Sequence, residues 1–361
     1  MKMSKINQLA FAAIVMAPIF SKKTICLFPI LRQTRRTLQL MAIIATLATS
    51  FMLSAEVVVA AEGGSSFYLL GQRGQGAGIL PPVEGVFFAL PTYYYSGSAS
   101  DSKSLPLDGE LSFGLDVDMF LALPTAIWVT PVKIFGGDLA FSGTFVAGHV
   151  DATADSALTI PGSGFLGAVS LSDDRWAVGD PSFSMLVGWH GDNHNYLIAA
   201  SVNAPVGDYD VGRLANVSLN RWATDITTAG TWLFPQENIE LSVATGITFN
   251  GENDDTNYET GTEFHLETAA FYQFTPSFLV GLNGYHYQQL TGDSGSGAIN
   301  GGFKGRVTAL GPGMSGTFNA GPLPVSVDLS YFHEFNVQNR LEGDSVWLTL
   351  SIPLWVPAQT P

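Results

Sequence analysis

The 361-residue sequence has a single cysteine, Cys26, and it falls in an N-terminal segment that reads as removable. No disulfide is expected in what remains, so stability has to come from closure of the fold itself. Charge is scarce as well. Only 13% of residues are Asp, Glu, Lys or Arg, about half the share of an ordinary soluble domain. Something other than water must solvate much of the surface. Long apolar helices could do this, yet downstream of the N-terminus no stretch approaches the roughly 18 uninterrupted apolar residues of a membrane helix. A bundle of membrane helices is thereby excluded.

The N-terminus carries a targeting pattern. Lys22, Lys23, Arg32, Arg35 and Arg36 precede the apolar run 41–53, and the small residues Val59, Ala60 and Ala61 follow. That is the basic, apolar and cleavage-site order of a secretory signal, with the cut expected after Ala60 or Ala61. Residues before about Leu31 read as an upstream extension. Residues 1–61 hold seven of the 16 basic residues and one of the 31 acidic ones, which leaves 9 against 30 and a formal net charge of −21. Such a chain repels nucleic acid and anionic membrane surfaces, so no nucleic-acid partner is expected.

What is abundant is glycine (39), phenylalanine (24) and tyrosine (11), a mix that suits closely packed strands girdled by aromatics. Residues 239–249 set Ile239, Leu241, Val243, Ile247 and Phe249 on one face and Glu240, Ser242, Ala244, Gly246 and Thr248 on the other. Residues 344–354 repeat the pattern, and Glu263, His265 and Glu267 alternate with Phe264, Leu266 and Thr268. This is period two, and helical spacing fits none of these segments as well. Short connections at 131–138, 191–194, 235–238, 275–277 and 320–324 alternate with longer polar ones at 97–107, 151–176, 207–219, 251–261 and 291–300, with a tighter one at 336–340.

Backbone groups cannot stay unpaired in hydrocarbon, so such strands must close on themselves. The expected fold is all-β: a transmembrane antiparallel β-barrel of about 12 strands in the outer membrane, with short periplasmic turns and longer extracellular loops. Strands are expected at 85–96, 108–128, 138–150, 177–190, 194–206, 220–234, 236–250, 262–274, 278–290, 301–319, 323–336 and 340–353. Pro124 interrupts the second of these, where a bulge is expected. The organisation reads as 1–61 extension plus signal, 62–84 periplasmic lead-in or small plug, 85–355 barrel and 356–361 tail.

Facing lipid at mid-membrane costs Lys or Arg roughly 2–4 kcal/mol, and acids less. Arg221, Asp225, Glu263, His265, Glu267, Asp328, Glu334 and Arg340 are therefore expected inside the lumen, as an ion-pair network or as a constriction, with both arginines paired to these carboxylates. Aromatics near strand ends read first as interfacial girdles. Tyr285 and Tyr287 are the candidates for stacking a solute. No cofactor or metal is expected: the oxygen-rich loop 250–259 lacks EF-hand spacing, and His190 and His194, the only close histidine pair, flank a turn. Gly71–Gly78 lacks the Lys-Ser/Thr of a phosphate loop. Nor does an enzyme emerge. No Gly-x-Ser-x-Gly elbow occurs, and Ser330 and His333, three apart on one strand, face opposite sides, so a lipid hydrolase is the lesser reading.

A set of motifs adds to this: Asn220-Arg-Trp222, Phe249-Asn-Gly-Glu-Asn253, Thr256-Asn-Tyr258, Gly261-Thr-Glu-Phe-His265, Gly284-Tyr-His-Tyr-Gln-Gln289, Thr291-Gly-Asp293, Leu310-Gly-Pro312, Glu334-Phe335 and Asn339-Arg-Leu-Glu-Gly343. In order and spacing they resemble the outer-membrane family encoded beside meta-cleavage pathways for phenol degradation. The resemblance runs from about residue 67 and is closest in the second half. It implies a porin-like transporter for passive, weakly selective uptake of small aromatic or hydrophobic compounds, with outer-membrane lipids and the barrel-assembly machinery as partners. A general diffusion porin or a structural barrel is the alternative. One departure is the C-terminus, which runs past Trp355 to Pro361 instead of ending on an aromatic residue.

Overall fold

The computed structural model describes residues 61–105, 109–160, 165–299 and 301–357. The expected signal segment before Ala61 and the end of the C-terminal tail lie outside the described residues. The first strands are β1 (Gly85–Leu105), β2 (Gly109–Ala122), β3 (Thr125–Ile134), β4 (Gly137–Thr144), β5 (Ala147–Ile160) and β6 (Phe165–Val178). Next come β7 (Ser182–His190), β8 (His194–Asn203), β9 (Ala223–Phe234), β10 (Ile239–Asn250), β11 (Glu252–Asn253) and β12 (Tyr258–Glu259). The last are β13 (Glu263–Thr275), β14 (Phe278–Gln289), β15 (Arg306–Ala320), β16 (Leu323–Gln338) and β17 (Glu342–Trp355).

All but the small β11–β12 hairpin join one antiparallel sheet, and β17 pairs back onto β1, so the sheet closes. Three pairs of strands are single staves with a break: β2 and β3 at Leu123-Pro124, β4 and β5 at Phe145-Val146, β6 and β7 at 179–181. The barrel therefore has twelve staves. Pro124 explains the first break, since proline gives the ladder no N–H. Closure satisfies the backbone where lipid offers no partner.

Burial follows the period-two reading. Along β10, Ile239, Leu241, Val243 and Phe249 are exposed to the lipid side, while Glu240, Ser242, Ala244 and Thr248 are buried in the lumen. On the outer wall, Tyr94, Phe120, His149 and Trp176 are register neighbours across β1, β2, β5 and β6. The next row outward is Ser96, Asp118, Asp151 and Asp174. Aromatic rings prefer the headgroup level and aspartates prefer water, so these rows mark the outer limit of the hydrocarbon.

Two expected loops are strand instead. Residues 97–105 continue β1, and 151–160 with 165–176 continue β5 and β6, well beyond the aromatic row. The reason is that amphipathicity inverts there. Asp116, Asp118 and Asp151 point outward into water, whereas Val117 and Met119 sit with the buried Val150 and Ala152 on the inner side, packed by Ala215 and Val217. Serine and aspartate mark loops inside a membrane protein's sequence, yet they serve equally as the wet face of a strand that has left the membrane.

Candidate functional site in the lumen

Residues 61–84 run down the lumen from the mouth formed by the long loops to the rim where β1 begins. At the outer end the Glu62 carboxylate accepts from Asn253 Nδ2 (3.0 Å to each oxygen), Thr256 Oγ1 (2.5 Å) and Tyr209 Oη (3.4 Å), with Arg221 Nη1 3.7 Å away. Burial, and then this carboxylate, pushes the Tyr209 phenol above its ordinary range. Deeper, Ser66 donates to Glu263 (2.7 Å), and Gly71 N and Arg73 N both donate to Glu267 (2.8 and 2.7 Å). Gln75 Nε2 and Gly76 N donate to Glu240, and Gly78 N to Thr231 Oγ1 (3.0 Å). Ala77 and Leu80 then pack with Val129, Leu186 and Leu197 near the opposite rim.

The glycine run 71–78 is what lets the chain lie this close to the wall. Gly71 holds φ +85, and a Cβ there would meet Phe332 at 2.7 Å; at Gly78 it would meet Asn195 O and Thr231 N, each at 2.7 Å. Lacking a Cβ, glycine takes a positive φ without steric cost and lets the backbone approach this closely.

The lumen wall has two characters. On β9, β10 and β13, alternate inward positions are polar: Asp225, Glu240, Ser242, Thr248, Glu263, His265 and Glu267 are all buried. Asp225 accepts from Thr227, Thr248 and His265 Nε2 (2.5, 2.7 and 3.0 Å). The other character is aromatic. Tyr93 and Tyr95 of β1, Tyr285 of β14, Phe332 of β16 and Trp347 of β17 form one buried cluster with Tyr68 and Leu70 of the thread. Three of its polar atoms are turned to fixed partners: Tyr95 Oη and Tyr285 Oη donate to Glu334 (3.0 and 2.8 Å), and Trp347 Nε1 to Leu70 O (3.0 Å).

The sequence candidates thus share one lumen. Arg221, Asp225, Glu263, His265, Glu267 and Glu334 are buried there, with Tyr285 and Tyr287. Asp328 is half-buried on β16, in register with Ser315 and apart from the others. The expected arginine pairing needs correcting. Among the described residues, Arg221 has Glu62 as its carboxylate, with Asn250 Oδ1 and Ser65 O as acceptors. Arg340 has no carboxylate within ion-pair distance among the described residues; it lies over the Tyr287 ring at 4.2 Å and donates to Ser66 Oγ (3.2 Å). Glu62, Ser65 and Ser66 all belong to the thread, which therefore supplies most of the arginines' partners in place of the wall carboxylates. Ser330 accepts from Asn283 inside the barrel, whereas His333 binds Asp344 on the exposed side.

Residues not singled out from the sequence are Glu62, Glu240, Asp293 and Asp180. Glu240 already lay on the inward face of its alternating strand and could have been chosen by that signal. Asp180, in the break between β6 and β7, could not. It accepts from Asn203, Gly207 N, Ser218, Leu219 N and Asn220 N, which ties the 204–222 loop to that break.

Comparison with known proteins agrees with this architecture. Residues 97–350 match the family model described as "Putative MetA-pathway of phenol degradation". An outer membrane channel from Pseudomonas putida F1 superimposes with a TM-score of 0.54 at 13% identity, covering 79% of this chain and 99% of that one. A toluene transporter from Ralstonia pickettii gives 0.39 at 8% identity, over 75% and 90% of the two chains. No curated protein matches the sequence. At such identity the first structure establishes the shared fold, an outer-membrane barrel.

Proposed function

The chain belongs to this phenol-degradation family, and on that premise we propose that it lets small aromatic or hydrophobic molecules cross the outer membrane passively and with weak selectivity. The observation that carries the reading is the aromatic wall of Tyr93, Tyr95, Tyr285, Phe332 and Trp347. Because Glu334 and Leu70 O already hold the hydroxyl hydrogens of Tyr95 and Tyr285 and the indole hydrogen of Trp347, these rings offer chiefly apolar and π surface. An aromatic solute gains stacking there, while a sugar would lose hydration without compensation. Weak, sequential contacts also let the solute leave.

In this reading Arg221, Asp225, Glu263, His265, Glu267, Glu334 and Arg340 act as the frame that holds the thread and sets the constriction, and Asp328 lines the lumen nearer the periplasm. Tyr285 is the better stacking surface, since Arg340 covers Tyr287. The role is transport and not catalysis: Ser330 and His333 lie on opposite sides of the wall. The test is solute flux into proteoliposomes holding the purified barrel, with phenols compared against sugars and amino acids of similar size. Faster phenol flux is expected. Equal rates would make the protein a general pore, and no flux a structural barrel.

A further inference from the structure

Ala61 N donates to Asp293 Oδ2 (3.3 Å) at the outer mouth of the barrel. The same carboxylate accepts from Tyr258 Oη (2.7 Å), Gly261 N (3.0 Å) and Gln289 Nε2 (2.5 Å), and its residue is only 6% exposed. No cationic side chain lies within ion-pair distance of it among the described residues. A buried carboxylate ringed by neutral donors is an unusual arrangement, because burial of an unpaired charge is costly.

The backbone at the same residue is unusual too. Ala61 has φ +67 and ψ +137, a combination that an alanine inside a continuous chain rarely adopts. A first residue has no preceding carbonyl, so the steric restriction on φ disappears.

Chain reach supplies a third argument. The apolar run of the signal ends at Leu53, and the eight residues from there to Ala61 span at most about 28 Å when fully extended. That is less than one bilayer. A leader still held in the inner membrane could not also place Ala61 at the extracellular mouth, on the far side of the outer membrane. The thread can be seated only after the leader has been cut.

We propose that the mature chain begins at Ala61 and that its α-ammonium, created by cleavage, latches the lumen thread to Asp293. A signal peptidase hydrolyses the Ala60–Ala61 amide: water adds its oxygen to the Ala60 carbonyl carbon, the C–N bond breaks, and the nitrogen leaves as the amine. At neutral pH that amine is largely protonated, given an ordinary α-amino pKa of about 7.7–8.0. A cut one residue later would put the ammonium at Glu62 N, whose hydrogen-bond partner is the neutral Thr260 hydroxyl (3.3 Å). The sequence left these two bonds equivalent; the Asp293 carboxylate separates them. The inference does not rest on which solute passes the barrel, so flux results leave it untouched.

The test starts from the full-length chain expressed with its own leader and recovered from outer membranes. Intact mass and N-terminal sequencing should give Ala61 as the first residue; any other start overturns the proposal. The folded barrel is then treated at neutral pH with an amine-acetylating reagent, and α-amine labelling is read by peptide mapping. Slow labelling is expected, accelerated at least tenfold in Asp293→Asn and close to wild type in Tyr258→Phe, which keeps the carboxylate. A second variant leaves every barrel residue unchanged and inserts one glycine between Ala60 and Ala61, moving the ammonium off Asp293. It should label as fast as Asp293→Asn. Equal labelling of wild type and the glycine variant would show that Asp293 is no latch.

Discussion

The Tyr68 ring lies flat on the His265 imidazole, with centroids 3.5 Å apart and planes 12° from parallel. His265 is held from behind by Asp225 (3.0 Å), which Thr227 and Thr248 fix in turn. A residue of the thread is thus stacked on a preorganised residue of β13. Tyr68→Ala removes that stack and leaves a void, at a cost of roughly 3 kcal/mol by analogy with other buried aromatic truncations. The expected outcome is a larger single-channel conductance in planar bilayers, with Tyr68→Phe remaining near wild type. If the two variants conduct alike, the stack does not hold the thread.

Glu267 makes a comparable prediction for the backbone. Its two oxygens accept separately from Gly71 N and Arg73 N, and hydrogen bonds to charged acceptors are worth about 1.5–3 kcal/mol each. Glutamine at 267 keeps one acceptor oxygen and turns an NH2 group toward the other donor. Amide exchange at residues 71 and 73 should accelerate roughly ten- to hundredfold, in line with a loss of about 1.5–3 kcal/mol. Unchanged exchange at both amides would contradict the geometry.

Gly78 tests the wall contact. A Cβ there would press on Asn195 O and Thr231 N, both backbone atoms of paired strands that cannot yield. Gly78→Ala should therefore lift the thread off β8 and β9 and raise conductance, while Gly114→Ala, where nothing lies within 4 Å, should not. Overpacking of this kind typically costs about 1–3 kcal/mol. Matching behaviour of the two alanines would mean the thread is not seated against the wall.

The alternation of Ile239 through Phe249 made both the barrel and its inward residues legible, because lipid outside and a packed lumen inside impose period two on the sequence. The same logic misread 97–105 and 151–176. Beyond the membrane the wet face of a strand takes serine and aspartate, the residues that otherwise mark loops. The partners of Arg221 and Arg340 were illegible for another reason. Glu62 and Ser66 reach them from a segment more than 150 residues away, and no local pattern reports that a lead-in folds back through the lumen. The glycines of 71–78 were visible, but their purpose depends on the wall they touch.

Asp180 offers the last test, at the break between β6 and β7. β6 pairs with β5 alone, and its other edge is met by the 204–222 loop, through Asp208 N to Val178 O (2.8 Å), Arg175 to Asp208 (2.8 Å) and Ala215 N to Asp173. Asp180, 4% exposed, gathers three backbone N–H groups of this loop, the Ser218 hydroxyl and the Asn203 amide. Alanine at 180 leaves these donors without their acceptor, and burying even one such group unsatisfied costs about 1–3 kcal/mol. The loop should then detach while the twelve-stave barrel stays closed. Arg213 in this loop, paired at the surface with Asp173 and Asp210, supplies a tryptic site, so trypsin added to outer-membrane vesicles should cut after Arg213 at least tenfold faster in Asp180→Ala. Asp180→Asn, which retains one acceptor oxygen, should fall between. Cleavage at the wild-type rate in both variants would show that the loop is held by its arginine pairs and not by Asp180.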